Sequence, residues 1–451
     1  MGRDWETLAG EKGKRLPSGR WGRLLRVGKL GLSVAGSAAG HAVRSRLLSK
    51  DDNDASVFHS KQAKKVLETL GQMKGAAMKV GQILSTDPDA VPSEFADILS
   101  QLQKDAPSMT YLTVKEQIES ALDRPIDDAF LGFEPEPIGS ASIGQVHRAT
   151  LHDGRTVAVK IQYPGVVESI ESDLRNLTSL LFLARPLVDR DRLRNLVDEC
   201  RTSLLAEADY TAEAANLERF GSLLEERPGI SSPAPVMEFC RENLLVMEFV
   251  DGIKLDEVLE QTEDEKTRRE LAKRWMDTYI WMCHELFELH SDPHPGNFLV
   301  KPCGELVFLD FGSVKSLEPR YMDGLLRIVR ACWDEDFERV RELMAELEFG
   351  GKKLDPKTIP LERVRTYFSM MLEPFLYDGQ FDFGGWELHG PMRRFMFSHP
   401  EMLKASPPAE LLMPVRVMGG VKGLLTRFSI SLNVREIAAK VIEERLGSDG
   451  G

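Results

Sequence analysis

Apolar residues change their spacing several times along this chain, and the changes divide it. From Lys61 to Ser85 they recur at helical intervals, through Val66, Leu67, Leu70, Met73, Ala77, Met78 and Gly81, so an amphipathic helix is predicted that stops at Asp87-Pro88. Further helical stretches run through Phe95, Ile98, Leu99 and Leu102, and from Thr113 to Ala121. The period then falls to two. Ile138–Thr150 and Thr156–Gln162 are short β-branched runs separated by Asp153-Gly154, which predicts a hairpin. Helical spacing returns from Val167 to about Leu224, yields to two strand-like runs, Ala234–Phe239 and Asn243–Phe249, and resumes after Asp251-Gly252. Glu263–His290 reads as one long helix or two, and Phe298–Lys301 with Leu306–Leu309 as a short hairpin. Residues 320–348 and 361–376 read as helices, 377–391 as a loop, and 409–446 as helices broken at Pro414 and Gly419-Gly420. No repeat of solenoid period is visible.

A length of 451 residues exceeds one ordinary core, so two closely packed lobes plus extensions are expected. Charge refines this. The net charge is -13, yet residues 1–50 carry eleven Lys and Arg against Asp4, Glu6 and Glu11, so a basic arm precedes an acidic body. An acidic body argues against nucleic acid as a partner, because phosphate backbones need a basic surface. The arm suits anionic lipid heads instead.

Five cysteines, odd in number and without paired spacing, point to a reducing compartment and away from structural zinc. No apolar run reaches the roughly 20 residues a bilayer crossing needs. The nearest, Leu30–Val43, is rich in Gly, Ala and Ser and reads either as a small-residue helix for packing or surface contact, or as a tail. Whether Gly36-x-x-x-Gly40 pairs two subunits stays open at this level. Glu6 stands where a myristoylation signal needs Ser or Thr. The expected location is the cytoplasm, peripheral on the inner face of a membrane.

The chemistry concentrates in four places. Gly139-Ser140-Ala141-Ser142-Ile143-Gly144-Gln145-Val146 fits the nucleotide-binding pattern G-x-G-x-x-G-x-V except that Ala141 replaces the middle glycine. Alanine narrows the backbone conformations there, so the loop should hold phosphate more stiffly. Val157-Ala158-Val159-Lys160 follows on the next strand, where a lysine can reach the α- and β-phosphates of a nucleotide. Such a lysine needs a carboxylate on a helix, and Leu204–Phe220 offers Glu207, Asp209, Glu213 and Glu218. Met247-Glu248-Phe249-Val250-Asp251-Gly252 ends a strand and suits a hinge whose backbone takes adenine.

His290-Ser291-Asp292-Pro293-His294-Pro295-Gly296-Asn297, followed by Asp310-Phe311-Gly312, completes the set. Asp292 would orient or deprotonate a nucleophile, while Asn297 and Asp310, hard oxygen donors, would hold Mg²⁺ or Mn²⁺ on the phosphates of ATP or ADP. A rival transition-metal site from His284, His290 and His294 lacks a third ligand at convincing spacing. After Gly312 the chain turns helical with no A-P-E sequence, leaving little room for a loop that presents a peptide.

These residues resemble the UbiB-type (aarF domain-containing) atypical protein-kinase-like family. Lys79-Val-Gly-Gln82 looks like its K-x-G-Q signature, Ala141–His147 its alanine-rich loop, Glu207-Ala208-Asp209 its E-x-D motif, and Asp292–Asn297 its catalytic loop. The resemblance covers residues 60–330 and implies an α+β, bilobal protein-kinase-like fold with an N-terminal helical extension and extra helices in the N-lobe and at the C-terminus. On this basis 1–60 is a basic tail, 61–135 the helical extension, 136–250 the N-lobe with a helical insertion, and 251–451 the mostly helical C-lobe. Glu213 would be the partner of Lys160. Lys79 and Gln82 would cover the active site near Glu207 and Asp209. Two departures stand out: Gly139-Ser140 opens the loop in place of Ala-Ala, and Ser291 sits where many protein kinases carry an arginine able to answer a phosphorylated loop.

The implied activity is that of an ATPase or phosphotransferase. It would act on a small or lipid-like acceptor such as an isoprenoid-quinone intermediate in ubiquinone biosynthesis, alone or within a biosynthetic complex. The alternative from another class is a nucleotide-gated lipid-binding or complex-organising module without phosphotransfer. A soluble aminoglycoside- or choline-type kinase shares the acidic motifs but gives Lys79-Val-Gly-Gln82 no role. For the arm, deleting residues 1–50 is expected to weaken co-sedimentation with anionic vesicles at low salt, and unchanged binding would remove it from membrane contact.

Overall fold

The computed structural model describes residues 108–141, 143–181, 190–351 and 354–447. The basic arm, Leu30–Val43 and the predicted helix over Lys61–Ser85 lie outside them. Two compact units form: the described residues up to Arg219 with Pro233–Val250, and Phe220–Ser232 with the described residues from Asp251 on.

The first unit opens with α1 (Tyr111–Leu122) and the single turn α2 (Ile126–Ala129). The strands β1 (Gly132–Phe133), β2 (Gly139–Ala141), β3 (Gly144–Thr150) and β4 (Thr156–Gln162) follow. Next come α3 (Val166–Leu181), α4 (Arg190–Glu207) and α5 (Tyr210–Leu224). After β5 (Ile230–Ser231), which belongs to the second unit, β6 (Leu244–Glu248) closes an antiparallel sheet ordered β1-β3-β4-β6, with β2 also beside β3.

Period two along β4 decides what each face does. Val157, Val159 and Ile161 pack with Val114, Ile118 and Leu122 of α1 in one core, so Ala158, Lys160 and Gln162 point to the opposite face. A one-residue slip would drive Lys160 into that core, so burial of the valines fixes the lysine's direction.

Two strand expectations need correction. Ile138–Thr150 is not one strand, because the chain folds back between Ala141 and Gly144, which pair with each other. Gly144 lies so close to β4 that a Cβ there would sit 2.1 Å from the Ile161 carbonyl oxygen. Nor is Ala234–Phe239 a strand. Pro233 and Pro235 cannot donate to a ladder, and Met237–Phe239 turns as a 3-10 helix, leaving a single bridge from Pro235 to Met247.

In the second unit β7 (Ile253–Lys254) leads to α6 (Leu255–Gln261) and α7 (Glu265–Trp281), whose N-cap Asp264 accepts from the Lys266 and Thr267 N–H groups. Strands β8 (Glu288–His290), β9 (Phe298–Val300), β10 (Leu306–Phe308) and β11 (Val314–Ser316) make a sheet β5-β10-β9-β7 and a ribbon β8-β11. Then come α8 (Pro319–Trp333), α9 (Phe337–Glu346), α10 (Leu361–Met371) and the short α11 (Glu373–Leu376). The chain closes with β12 (Phe381–Asp382), α12 (His389–Ser398), α13 (Ala409–Phe428), β13 (Ser431–Leu432) and α14 (Val434–Leu446).

Three further corrections fall here. The helix predicted to reach His290 stops at Trp281. A π-turn over Met282–Leu286 and a left-handed Phe287 (φ 52°) release the chain into β8, where pairing with β11 outweighs the continuing helical pattern. Residues 377–391 are not all loop, since β12 pairs with β13 and α12 begins at His389. And α13 runs unbroken through Pro414 and Gly419-Gly420. Its buried Leu411, Val417, Val421, Leu424, Leu425 and Phe428 each gain about 1.5–3 kcal/mol, against about 3 kcal/mol for an interior proline. Arg268 of α7 ties that region together. It donates to the carbonyls of Thr262 (2.7 Å) and Phe428 (3.0 Å), and to Leu259 O, so one side chain satisfies carbonyls at the ends of α6 and α13.

Gly144→Ala is expected to cost at least about 2 kcal/mol, because the added methyl meets backbone that cannot rotate away. A urea midpoint equal to that of the unsubstituted protein would refute the close approach.

Candidate functional site

In the first unit the Lys160 ammonium lies 2.7 and 2.9 Å from the two carboxylate oxygens of Glu213 on α5. Both groups are buried, Lys160 at 8% and Glu213 at 1% exposure, and the ammonium also stands 4.9 Å from the Tyr210 ring centre. Of the four carboxylates on Leu204–Phe220, Glu213 is thus the one that meets the lysine.

The start of α5 sets that position. Asp209 Oδ1 accepts from the Thr211 and Ala212 N–H groups at 3.1 and 3.0 Å, an N-cap immediately before Tyr210. Gln162, two residues along the same face of β4 as Lys160, donates to the Ala208 carbonyl (2.7 Å) and the Glu242 carbonyl (3.1 Å). Gln162 was not singled out from sequence, although period two pointed to it. Glu207 ends α4, and its expected neighbours Lys79 and Gln82 lie outside the described residues.

Gly139, Ser140 and Ala141 form β2, with Gly139 paired to Val146 and Ala141 to Gly144 on β3, while Ser142 is outside the described residues. Nothing lies within 4 Å of where a Cβ on Gly139 would stand, in contrast to Gly144. At the end of β6 the Glu248 N–H is taken by Ala234 O (2.8 Å) and the Phe249 N–H by Thr156 O (3.1 Å). The Val250 N–H meets no acceptor among the described residues.

In the second unit the loop between β8 and β9 is knitted to the segment after β10. His290 Nε2 faces the Asp310 carbonyl at 2.6 Å, so that nitrogen carries the proton, and Nδ1 faces the Tyr279 hydroxyl at 3.3 Å. Burial first, and then the Asp292 charge, push the Tyr279 phenol well above its ordinary range, so it stays a donor. Leu309 N–H donates to Asn297 O (2.9 Å), and Asn297 Nδ2 to Asp292 O (3.1 Å). Asp292, Asn297 and Asp310 are therefore held in one bonded cluster.

Its surroundings keep it in place. His294 Nδ1 accepts from the Gly296 N–H (3.1 Å) and caps the turn Pro295–Asn297. Phe311 is fully buried, its ring stacked on Phe220 at 4.5 Å and 10°. Ser291 makes a triple connection to Ser313: its N–H donates to Ser313 O at 2.8 Å, its hydroxyl donates to the same oxygen at 3.0 Å, and the two hydroxyls are 2.6 Å apart. Only residues 313–318 separate Gly312 from α8, and half of them are β11.

The donors suit a hard divalent cation. The bond from Nδ2 fixes the Asn297 amide with Oδ1 as its remaining acceptor, and Asp310 Oδ1 is oriented by the Gly312 N–H at 2.7 Å. Among the described residues no three His, Cys, Asp or Glu side chains cluster as ligands.

Known proteins are similar to this chain in sequence and in fold. The sequence profile of the ABC1 atypical kinase-like domain matches residues 101–344. The mitochondrial atypical kinase COQ8B of Rattus norvegicus is 29% identical over 435 residues, 94% of this chain and 80% of that protein. The probable serine/threonine-protein kinase abkA of Dictyostelium discoideum is 29% identical over 358 residues, 75% of this chain but 63% of that one. The chain thus spans less than two thirds of abkA. Among solved structures, the complex of Rv3197 with erythromycin from Mycobacterium tuberculosis aligns with a TM-score of 0.59 at 26% identity, over 89% of this chain and all of that one. This likeness and the profile give the fold as kinase-like, mixed helix and sheet.

Glu213→Gln would remove the carboxylate that accepts twice from the buried Lys160 ammonium. A loss of about 3–5 kcal/mol in urea unfolding is expected, and a change below about 1 kcal/mol would contradict the burial of the pair.

Proposed function

Because the chain belongs to the ABC1 atypical kinase-like family, we propose that it is an ATP-dependent phosphotransferase or ATPase whose acceptor is a small or lipid-like molecule. One observation carries the reading: the bonds from His290 to Asp310, from Leu309 to Asn297 and from Asn297 to Asp292 gather the three groups that phosphoryl transfer needs. In this reading the Glu248 carbonyl and Val250 N–H take the adenine edge, and the β2–β3 turn lies along the phosphates. Lys160, oriented by Glu213, pairs with the α- and β-phosphate oxygens.

A divalent cation on Asn297 and Asp310 would neutralise charge building on the phosphates. Asp292 accepts the proton of an acceptor hydroxyl or water as its oxygen bonds to the γ-phosphorus. The bond from that phosphorus to the β,γ-bridging oxygen breaks and ADP leaves. Most of the acceleration then comes from positioning and fixed charge.

The short stretch from Gly312 to α8 supports a non-peptide acceptor, because a peptide needs a longer surface to lie on. The resemblance read from the sequence ties such proteins to ubiquinone and other isoprenoid lipids, which makes a lipid intermediate the first acceptor to try. Peripheral membrane contact fits this, and no described helix is long and apolar enough to cross a bilayer. Lys79 and Gln82, with Glu207, are proposed to restrict access.

The test is a radiolabelled ATP assay with purified full chain, Mg²⁺ and lipid vesicles, beside an Asp310→Asn control. Phosphate release at least about a hundredfold above the control supports turnover, and label in the lipid fraction identifies transfer. Nucleotide binding with release no greater than the control would instead mean a nucleotide-gated binding module.

A further inference from the structure

In the second unit α13 passes directly over the catalytic loop, and it does so at a residue without a side chain. A Cβ on Gly420 would stand 2.6 Å from Pro293 Cγ, about 0.8 Å inside the shortest ordinary contact, and 3.5 Å from Cδ. Pro293 is itself buried, follows Asp292 in the chain, and is a ring fixed to the backbone. We infer that Gly420 is a positioning residue for phosphoryl transfer: its missing side chain lets α13 lie against Pro293 and so sets Asp292 and Asn297.

Glycine inside a helix costs about 0.5–1 kcal/mol relative to alanine. At Gly423, one turn on, nothing lies within 4 Å of where a Cβ would be, so alanine would fit and that cost has no contact to offset it. At Gly420 the cost coincides with a close approach. The consequence reaches the site through one bond, because the Asp292 carbonyl that precedes Pro293 holds the Asn297 amide at 3.1 Å. A loop displaced by the added methyl moves both the proposed base and a proposed metal donor. Displacements near 1 Å cost up to about a hundredfold in rate when they shift reacting groups.

This inference rests on the proposed site but not on turnover, so the test uses two readouts. Titrate the full chain with a non-hydrolysable ATP analogue in Mg²⁺ and in EDTA, and measure kcat and KM for ATP. Compare the unsubstituted protein with Gly420→Ala, Gly423→Ala, Pro293→Ala and the Pro293→Ala/Gly420→Ala pair.

Gly420→Ala is expected to lose most of the Mg²⁺-dependent gain in affinity while its affinity in EDTA holds. Its kcat should fall about tenfold or more. Gly423→Ala should match the unsubstituted protein. In the Pro293→Ala background, where the clashing ring carbons are gone, adding Gly420→Ala should change little. If Gly420→Ala does not fold but the pair does, the steric coupling stands. The inference is overturned if Gly420→Ala matches Gly423→Ala, or if its effect is as large without the proline ring as with it. Absence of ATP turnover in the unsubstituted protein would defeat the enzymatic reading alone, since the Mg²⁺-dependent affinities still decide the role of Gly420.

Discussion

A buried ammonium cannot stand without a buried carboxylate, and the first unit is arranged to satisfy that requirement. Desolvating either ion alone costs several kcal/mol. The valines of β4 turn Lys160 to the face opposite the core, the Asp209 cap fixes where α5 begins, and Gln162 binds the carbonyl just before that cap. Glu213 arrives one turn later with both oxygens on the ammonium. The apolar core and the cap thus act on one ion pair from two sides. The E-x-D aspartate accordingly has a structural task in the first unit, capping the helix that bears Glu213, whatever further contacts it makes.

The second unit solves a different problem with different means. The backbone at Asp292 and Asp310 is tied to its neighbours by bonds between neutral groups. Carbonyls of Asp310 and Asn297 accept from the facing segment and that of Asp292 from Asn297 in its own loop, and the aromatic rings of Phe298, Phe308 and Phe311 surround His290. Low exposure around His290 strengthens each of these bonds and raises the cost of breaking any one.

How far the site is legible in the sequence follows from how local each constraint is. Asp292, Asn297 and Asp310 are set by spacings under twenty residues, and β10 and its flanks bring them together as the pattern suggests. Choosing Glu213 among four helical carboxylates needs the helix start, a tertiary fact, and only the family resemblance supplied it beforehand. The misread elements share a cause. Pro414 is a local helix breaker overruled by a buried stripe, and the extension of α7 to His290 is a local helix signal overruled by a strand pair. Gly144 completes a nucleotide-binding pattern in the sequence, yet its first need is closeness to Ile161, which no linear pattern reveals.

Ser291 shows where this logic leads. An arginine at that position could hold a following segment only through a charged partner, so its grip would depend on phosphate being added and on salt. Two serines joined through backbone and hydroxyls need no added charge. Three contacts join Ser291 to Ser313, which is itself 8% exposed. The segment after Gly312 is consequently fixed by folding itself.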